Sequence, residues 1–178
     1  WSMFEAEAEG LAELAATRTV RVPEPISHGI AAGQSWLVLE YLSLVGDGAR
    51  AMERLGRQLA TLHAQPRPGF GWHRDNTIGA TPQPNAYGDD WIEFWREQRL
   101  GFQLNLAAHN GYTGVLQQQG EQLRLRLDGL FVGHSPTPAL LHGDLWSGNV
   151  GCTADGEPVI FDPAVYQGDR EADLAMTE

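Results

Sequence analysis

Apolar side chains recur at helical spacing in four stretches of the chain, and each of these stretches predicts a helix. In the second stretch, Met52, Leu55, Leu59 and Leu62 form one apolar stripe on an otherwise polar helix. The third stretch opens with an aspartate and a glutamate that are spaced as an N-terminal cap. The four predicted helices are residues 2–16, 49–64, 90–108 and 113–131.

Other patterns predict strands and connections between them. Residues 35–42 are almost continuously apolar, which predicts a strand buried on both faces. Farther along, Asp155 and Gly156 form a strong signal for a two-residue hairpin turn. Residues 43–48 predict a linker, and residues 65–88, which are rich in proline and glycine, predict a long loop. The mixture of elements predicts an α+β fold.

The composition narrows the classes of function. The chain has 178 residues, of which 42% are hydrophobic, enough for a domain with its own core. A net charge of −11 argues against a protein that binds nucleic acid or an anionic membrane. No apolar run approaches the ~18 residues of a membrane span, and Cys152 is the only cysteine, which favours a reducing compartment. We therefore expect a cytoplasmic protein.

The basic side chains are unusual, because all 12 are arginine and the chain contains no lysine. Enzymes that bind nucleotide phosphates commonly place a lysine at the β- and γ-phosphates. The chain also opens with Trp1 inside a helical pattern and stops at Glu178 inside another. We therefore expect it to be an incomplete piece of a longer protein.

Three polar residues suggest a chemistry. Asp144 and Asn149 are five residues apart after an apolar run, and Asp162 follows a later apolar run. In a hairpin that turns between Asp155 and Gly156, Asn149 and Asp162 would lie opposite each other. The spacing of Asp144 and Asn149 matches that of a kinase catalytic loop. The alternative is that both residues only bind turn backbone groups, but it leaves the place of Asp162 unexplained.

Phosphoryl transfer gives each of these residues a role. Asp162 would bind Mg²⁺ that bridges the nucleotide phosphates, and Asn149 would hold a second ion or complete the coordination of the first. Asp144 would orient the acceptor hydroxyl and take its proton late. His142 is expected to hold this loop by hydrogen bonds, and Asp173 is expected to hydrogen-bond to the same loop.

The order of the elements is that of a two-lobed, kinase-like protein. Residues 1–42 are expected to be the remnant of an N-terminal lobe, and residues 43–178 a mostly helical C-terminal lobe, incomplete at its end, with the catalytic loop and the metal-binding hairpin. Glu40, Tyr41 and Leu42, just before the linker, are expected to contact adenine, mainly through backbone groups. Tyr41 could instead be a core aromatic residue.

Four further side chains are candidates for ligand contacts. Glu7 in the first helix could anchor a phosphate-binding lysine, whereas its neighbouring glutamates could simply be a solvated face. Trp146, inside the catalytic loop, could stack on a sugar ring or an alkyl amine, or pack beneath the loop. Trp91 and Arg99 lie on the helix after the long loop and could contact the substrate, although a tryptophan stripe is usually part of a core.

The catalytic segment resembles that of the fructosamine kinase (ketosamine-3-kinase) family, which is part of the wider aminoglycoside phosphotransferase and choline kinase group. The wider group shares the His-Gly-Asp motif and the later aspartate, whereas Trp146 in this context is typical of ketosamine kinases. The segments that resemble the family span essentially the whole chain: residues 4–7, 22–25, 75–79, 81–85, 90–95, 142–149 and 159–164.

The resemblance implies a protein-kinase-like fold and the ATP-dependent phosphorylation of the sugar 3-hydroxyl of ketosamines. These are fructosamine, ribulosamine or erythrulosamine adducts of a free or lysine amine, and the unstable product phosphate restores the amine. It also implies Asp144 as proton acceptor, Asn149 and Asp162 at Mg²⁺, residues 40–42 at adenine, and Glu7 as partner of the nucleotide-binding lysine. The family's first strands, its phosphate-covering loop and that lysine lie outside these 178 residues, so we expect little activity from them alone.

Two alternatives remain open on the sequence. The first is another phosphotransferase of the wider group, acting on an aminoglycoside, choline or a sugar. The second is a non-catalytic protein that binds a nucleotide or acts as a scaffold, which the absence of lysine favours.

Overall fold

Helices and short antiparallel strands alternate along the computed structural model, which describes residues 2–45 and 48–177. The helices are α1 (Ser2–Ala16), α2 (Ala49–His63), α3 (Trp91–Phe94), α4 (Phe102–His109), α5 (Val115–Leu130) and α6 (Glu171–Ala175), with a π-helical segment at Trp95–Gly101 and a 3₁₀ turn at Ser147–Asn149. The strands are β1 (Pro25–Ala31), β2 (Gln34–Leu39), β3 (Leu44–Val45), β4 (Asn76–Ile78), β5 (Thr81–Gln83), β6 (Ala139–Leu141), β7 (Val150–Thr153), β8 (Pro158–Ile160) and β9 (Tyr166–Gly168).

The predicted helices are confirmed, and one of them contains a local change of winding. Asp90 caps the third helical stretch, because its Oδ1 accepts a hydrogen bond from the backbone N–H of Glu93 at 3.0 Å. Helical structure then continues from α3 to α4, but the seven residues between them form wider π-helical turns. A single helix was expected there, so the π-helical segment is a feature that the hydrophobic pattern did not predict.

The strands pair in four small antiparallel sheets, which are β1–β2, β3–β7–β8, β4–β5 and β6–β9. Two sequence predictions need correction here. The expected linker at 43–48 contains β3, which pairs with β7, while Gly46 and Asp47 lie outside the described residues. The expected long loop at 65–88 contains the β4–β5 hairpin. Strands of two or three residues are too short for side-chain alternation to reveal them.

The prediction that the strand at 35–42 is buried on both faces is wrong. The strand is β2, which ends at Leu39, and none of its residues is fully buried; Val38 is 45% exposed. The physical reason is that β1 and β2 form a sheet of only two strands, so part of its apolar surface has no layer against it within the described residues.

The hydrophobic core runs across the predicted boundary between residues 42 and 43. Leu11 and Leu14 of α1 belong to the same buried cluster as Leu59 of α2 and Leu141 of β6. The remaining cluster members include aromatic residues from the long connection and from the third helical stretch, namely Phe70, Trp72, Trp91 and Phe94. Helix α1 is therefore packed onto the larger part of the chain, and the division at residue 42 stays a prediction.

Within residues 2–45 and 48–177, no helix combines the length and the apolar character that crossing a bilayer requires. The cytoplasmic location expected from the sequence stays a prediction.

Candidate active site

One cavity of about 590 Å³ brings together half of the ten residues that the sequence predicted to be catalytic or to bind a ligand. Its walls come from α1, from the β4–β5 hairpin, from the loop after β6 and from the segment after β8. The predicted site residues that line it are Glu7, Asp144, Trp146, Asn149 and Asp162. The structure therefore places residues that are up to 155 positions apart in sequence around one space.

A buried carboxylate on α6 holds the loop after β6 through two hydrogen bonds to its backbone. Asp173 of α6 has no exposed surface, and its two oxygens accept hydrogen bonds from the backbone N–H groups of His142 and Gly143, both at 2.9 Å. The Nε2 atom of His63 lies 3.0 Å from the same carboxylate. The prediction that Asp173 binds the catalytic loop is confirmed, and His63 is a partner that the sequence did not reveal.

His142 has a structural role in this loop, as expected. Its Nε2 lies 3.0 Å from the carbonyl oxygen of Phe161, and its Nδ1 accepts a hydrogen bond from the backbone N–H of Asp144 at 3.3 Å. Because a carbonyl can only accept, the ring proton sits on Nε2 and the imidazole is neutral. Burial lowers the pKa of His142, which agrees with this tautomer. The ring thus joins the segment around Phe161 to the loop that carries Asp144.

Only glycine fits at position 143. Its φ is +80°, and a Cβ atom there would lie 2.0 Å from the carbonyl oxygen of Ala164. The backbone N–H of Ala164 also donates to the carbonyl of His142 at 2.9 Å. The close approach lets the loop and the segment after Asp162 share one wall of the cavity.

Asn149 positions the carboxylate of Asp144. Its Nδ2 donates to the Asp144 carboxylate at 3.1 Å and to the Asp144 backbone carbonyl at 2.9 Å, and it lies 3.4 Å from the carbonyl of Asp162. Because the amide nitrogen makes these contacts, the amide oxygen is the atom of Asn149 that could bind a cation.

The pairing register of the β7–β8 hairpin, which lies between Asn149 and Asp162, differs by one residue from the prediction. The ladder pairs Val150 with Ile160, and the backbone N–H of Phe161 donates to the carbonyl of Asn149 at 3.1 Å. Asn149 therefore stands opposite Phe161, and the predicted pairing with Asp162 is wrong.

The turn explains this shift of register. The backbone N–H of Gly156 donates to the carbonyl of Thr153, and Gly156 has a φ of +80°. The connection is therefore a three-residue loop with glycine in the left-handed region, whereas a two-residue turn at Asp155 and Gly156 was expected.

Asp162 lies just beyond the hairpin in a conformation that non-glycine residues rarely adopt. Its φ is +55°, one of three such positive values outside glycine among the described residues. This backbone conformation brings the carboxylate to the cavity although Asp162 lies outside the strand pairing. Strained backbone of this kind is often found where a site needs a particular orientation.

Two carboxyl groups in the cavity hold their protons more tightly than usual. Burial, and to a smaller degree the charge of Asp162, raise the pKa of Glu7 to about 7. Burial also raises the pKa of Asp144, while His142 and Asn149 act in the opposite direction. Burial, the main cause of both shifts, disfavours the ionised forms. The cavity is electronegative because three carboxyl groups line it, and a cation bound among them would favour their ionised forms.

The other acidic residues of α1 are not a solvated face, because they bind the connection after α2. Arg74 donates to Glu5 and to Glu9, each at 2.9 Å. Glu13 accepts from the indole N–H of Trp72 at 2.8 Å and from a second arginine, Arg67. These contacts leave Glu7 as the glutamate of α1 that lines the cavity.

A chain of amides fastens the β4–β5 hairpin to the segment after Asp162. The Nδ2 of Asn76 donates to the carbonyl of Val165 at 2.8 Å, and the Nε2 of Gln83 donates to that of Ala164 at 3.0 Å. The Oδ1 of Asn76 accepts from Gln83 and from the fully buried Asn85, both at 2.9 Å. This network was not predicted from the sequence, where the only sign of it is that three amide side chains occur close together in a proline-rich segment.

The expected adenine contacts lie apart from this cavity, at the end of β2. The side chain of Glu40 forms an ion pair with Arg21, and the backbone N–H of Glu40 donates to the carbonyl of Glu24 at 2.8 Å. Tyr41 is 90% exposed, which excludes the core position considered for it, and Leu42 is half-buried. A nucleotide contact here would have to use the remaining backbone groups, so the role of residues 40–42 stays a prediction.

Trp146 is at the mouth of the cavity and not beneath the loop. Its side chain is 51% exposed, and the benzo ring lies so close to Gly148 that a Cβ at that position would be 2.2 Å from it. Gly148 thus supports one face of the indole while Trp146 lines the cavity.

The structure does not bring Trp91 and Arg99 to this cavity. Trp91 is 4% exposed and stacks with Phe94 and Tyr166 in the core. The Arg99 guanidinium lies 4.1 Å from the Tyr166 ring centroid and donates to the side chain of Asn85 at 2.8 Å. Both residues line a second, more apolar cavity of about 490 Å³. Their contacts are structural, and a direct contact with substrate stays a prediction.

Among the described residues, no cluster of three or more histidine, cysteine, aspartate or glutamate side chains could hold a metal ion by itself. Such a cluster is not required for Mg²⁺, which usually takes one or two protein ligands and obtains the rest from phosphates and water. Asp162 and the amide oxygen of Asn149 are a donor set of that kind.

Comparison with known proteins identifies the family. The sequence profile of the family described as fructosamine kinase matches residues 1–178. A probable ketoamine kinase of Synechocystis sp. is 51% identical over 183 residues, covering 100% of this chain and 60% of that protein. A chloroplastic protein-ribulosamine 3-kinase of Arabidopsis thaliana is 45% identical over 179 residues, covering 99% of this chain and 55% of that protein. The chain thus spans little more than half the length of these relatives.

Solved structures give the same result for the fold. A crystal structure from Haemophilus somnus 129PT, provisionally named a fructosamine-3-kinase, matches with a TM-score of 0.88 and 32% identity over 98% of this chain and 58% of that chain. A Thermobifida fusca protein of the same provisional name matches with a TM-score of 0.83 and 36% identity, over 98% of this chain and 59% of that one. These neighbours have a protein-kinase-like fold, which confirms the predicted fold class. From the profile match and the identities together, the chain belongs to the fructosamine kinase family.

Proposed function

We propose that the protein carrying this chain transfers the γ-phosphoryl group of ATP to the sugar 3-hydroxyl of a ketosamine. The observation that carries this proposal is the convergence of Asp144, Asn149 and Asp162 on one cavity. Phosphoryl transfer requires a group that positions the acceptor and oxygen ligands for the metal ions that neutralise phosphate charge. The names of the relatives, ketoamine kinase and protein-ribulosamine 3-kinase, support a ketosamine as the acceptor.

In this proposal, Asp144 positions the acceptor hydroxyl and accepts its proton. The hydrogen bond from Asn149 fixes the direction of the carboxylate, and its raised pKa makes it a better proton acceptor than a solvated aspartate. Because the transition state of phosphoryl transfer is loose, the proton moves late, and positioning contributes more than basicity.

Asp162 and the amide oxygen of Asn149 are the groups that would hold Mg²⁺. When bound, the ion would supply neutralisation of the charge on the nucleotide phosphates. Asp162 is suited to this role because its carboxylate reaches the cavity from a position outside the strand ladder. The electronegative cavity, which contains the Glu7 carboxyl group as well, also favours a cation.

The same cavity suits an acceptor that carries an amine. Its lining includes three carboxyl groups and no arginine or histidine side chain. Trp146 presents an aromatic surface to the cavity, on which a sugar or an ammonium group can stack. A ketosamine, free or formed on a lysine side chain, combines a sugar hydroxyl with such an amine.

The test is to incubate the complete protein with ATP, Mg²⁺ and a panel of acceptors. The panel contains ribulose, erythrulose and fructose adducts of lysine. An aminoglycoside and choline are included as acceptors that the alternative phosphotransferases would use. ADP release gives the rate, and phosphorus NMR gives the position of the phosphate. The proposal expects a 3-phosphate on at least one ketosamine.

Other outcomes would point to the alternatives. Phosphorylation of the aminoglycoside but of no ketosamine would assign the protein to another branch of the wider group. ATP binding without ADP release for any acceptor would support a non-catalytic nucleotide-binding protein.

A further inference from the structure

The β4–β5 hairpin forms the wall of the cavity that faces the catalytic loop. Thr77, Gly79 and Ala80 line the same space as Asp144 and Trp146. The expected adenine residues at the end of β2 are not among the cavity's lining residues. The hairpin therefore borders the same cavity as Asp144, the group proposed to orient the acceptor.

The base of the hairpin is rigid. Asn76 uses both atoms of its amide, since Nδ2 donates to Val165 at 2.8 Å and Oδ1 accepts from two other amides. Gln83 adds a second bond to the same segment through the carbonyl of Ala164. Because that segment directly follows Asp162, the hairpin keeps a fixed position relative to the reacting groups.

The tip of the hairpin is small and exposed. Gly79 and Ala80 form the turn between the strands, and neither is buried. The space beside Gly79 is open, because no atom lies within 4 Å of the position that a Cβ would take. Trp146, which lines the same cavity, is half exposed. The hairpin tip and the indole therefore both combine surface in the cavity with surface in solvent, and we take them to flank its mouth.

We propose that the tip of this hairpin sets the size of the group that an acceptor can carry beyond its sugar. The small side chains at Gly79 and Ala80 leave a passage wide enough for a ketosamine that is still attached to a polypeptide lysine. This inference rests on the proposed function, because it takes the acceptor to be a ketosamine oriented by Asp144.

The test places a large side chain at the tip of the hairpin and compares the rates with two acceptors of different size. The complete protein and its Ala80→Trp variant are assayed with a ribulose adduct on a lysine within a peptide and with the ribulose adduct of methylamine. We expect kcat/KM for the peptide to fall by about tenfold or more, while that for the small adduct changes by less than about threefold.

Ala154→Trp is the matched control. Ala154 is also an exposed alanine in a hairpin turn, but it does not line the cavity, so both acceptors should keep their wild-type rates. Thermal unfolding of each variant checks the fold, and Ala80→Leu replaces Ala80→Trp if the larger side chain prevents folding.

The outcomes separate this inference from the proposed function. An equal loss for both acceptors, or no loss for either, in a folded Ala80 variant would overturn the role of the tip. A wild-type protein that phosphorylates neither adduct would overturn the proposed function, and the inference with it.

Discussion

Single side chains in the cavity are tuned by their surroundings. Asp144 and Glu7 are both carboxylic acids with raised pKa values, yet Asp144 is held by the Asn149 amide whereas Glu7 reaches the cavity from α1. The difference is one of position: Asp144 is on the loop that the buried Asp173 fixes. In the proposed function, Asp144 orients the acceptor and Glu7 attracts a cation.

Replacing Asp144 tests its role directly. Asp144→Asn keeps the size of the side chain and an acceptor oxygen for the Asn149 amide, but it removes the proton acceptor. In the complete protein we expect turnover to fall by about 10²-fold or more, while ATP binding, measured by calorimetry, stays close to that of the wild type. Asp155→Asn, in the exposed hairpin turn, is the control. Wild-type turnover in the Asp144 variant would refute the role.

Replacing Glu7 tests the electrostatics of the cavity. A pKa raised from 4.5 to about 7 means that the folded chain holds this proton more tightly than the unfolded chain. The resulting stability is present below pH 4.5 and is lost as the pH rises through 7. Glu7→Gln cannot ionise, so we expect its free energy of unfolding to rise relative to that of the wild type, by about 1 kcal/mol between pH 5 and pH 8 after solvent screening.

Urea unfolding of both chains at the two pH values provides the measurement. Glu53→Gln, on the exposed side of α2, is the control for the loss of a surface carboxylate. A difference between Glu7→Gln and the wild type that is the same at pH 5 and pH 8 would show that the charge of Glu7 is not disfavoured in the fold.

At the scale of elements, what the sequence predicted depended on the length of each pattern. Helices α1, α2 and α5 span about four turns each, so their periodicity was clear. The β4–β5 hairpin has strands of three residues, and the buried amides that anchor it lie within a stretch that looked like loop. The π-helical segment leaves no distinct hydrophobic pattern, since all its residues except Gly101 are ordinary helix formers.

For the site as well, the sequence predicted only what a local pattern could show. The spacing of Asp144, Asn149 and Asp162 predicted that they would meet, and they do, because a hairpin returns the chain whichever turn it uses. The pairing partner of Asn149 was wrong by one residue, because the choice between a two-residue and a three-residue loop depends on local backbone geometry at Gly156. Contacts between distant segments, such as that of His63 with Asp173, have no local signal at all.

The packing of α6 against the catalytic loop can be tested by stability. Asp173→Ala would leave the backbone N–H groups of His142 and Gly143 and the ring of His63 without their buried acceptor. We expect the free energy of unfolding to fall by roughly 2–4 kcal/mol, measured by urea unfolding. Glu171→Ala, at an exposed position of the same helix, should change it by less than about 0.5 kcal/mol. Similar values for both variants would contradict the role of Asp173.

The molecule as a whole has one continuous core, although the chain spans little more than half the length of its relatives. Leu11 and Leu14 of α1 share a core with β6 and α2, so the described residues pack around a single apolar centre. The chain nevertheless covers only 60% and 55% of two of its relatives and contains no lysine. If the proposed function holds, the chain supplies the acceptor and metal-binding residues without the lysine that commonly contacts the β- and γ-phosphates.

The 178 residues alone are expected to show little or no turnover. The comparison is ADP release by this chain and by a protein of the relatives' full length, with the same ketosamine at saturating ATP. Circular dichroism of the shorter chain provides the control that it is folded. Comparable turnover of the two proteins would show that arginine side chains, or no basic group, suffice at the phosphates.

The contacts that α1 makes with the connection after α2 have a thermodynamic consequence for binding. Arg74 donates hydrogen bonds to Glu5 and Glu9, and Trp72 and Arg67 donate to Glu13, so the helix is held at three positions along its length. These contacts oppose rolling and sliding of the helix, and they hold Glu7 at the cavity in the absence of a ligand. The free-energy cost of ordering α1 on ligand binding is thereby reduced, which is the benefit of a preorganised site.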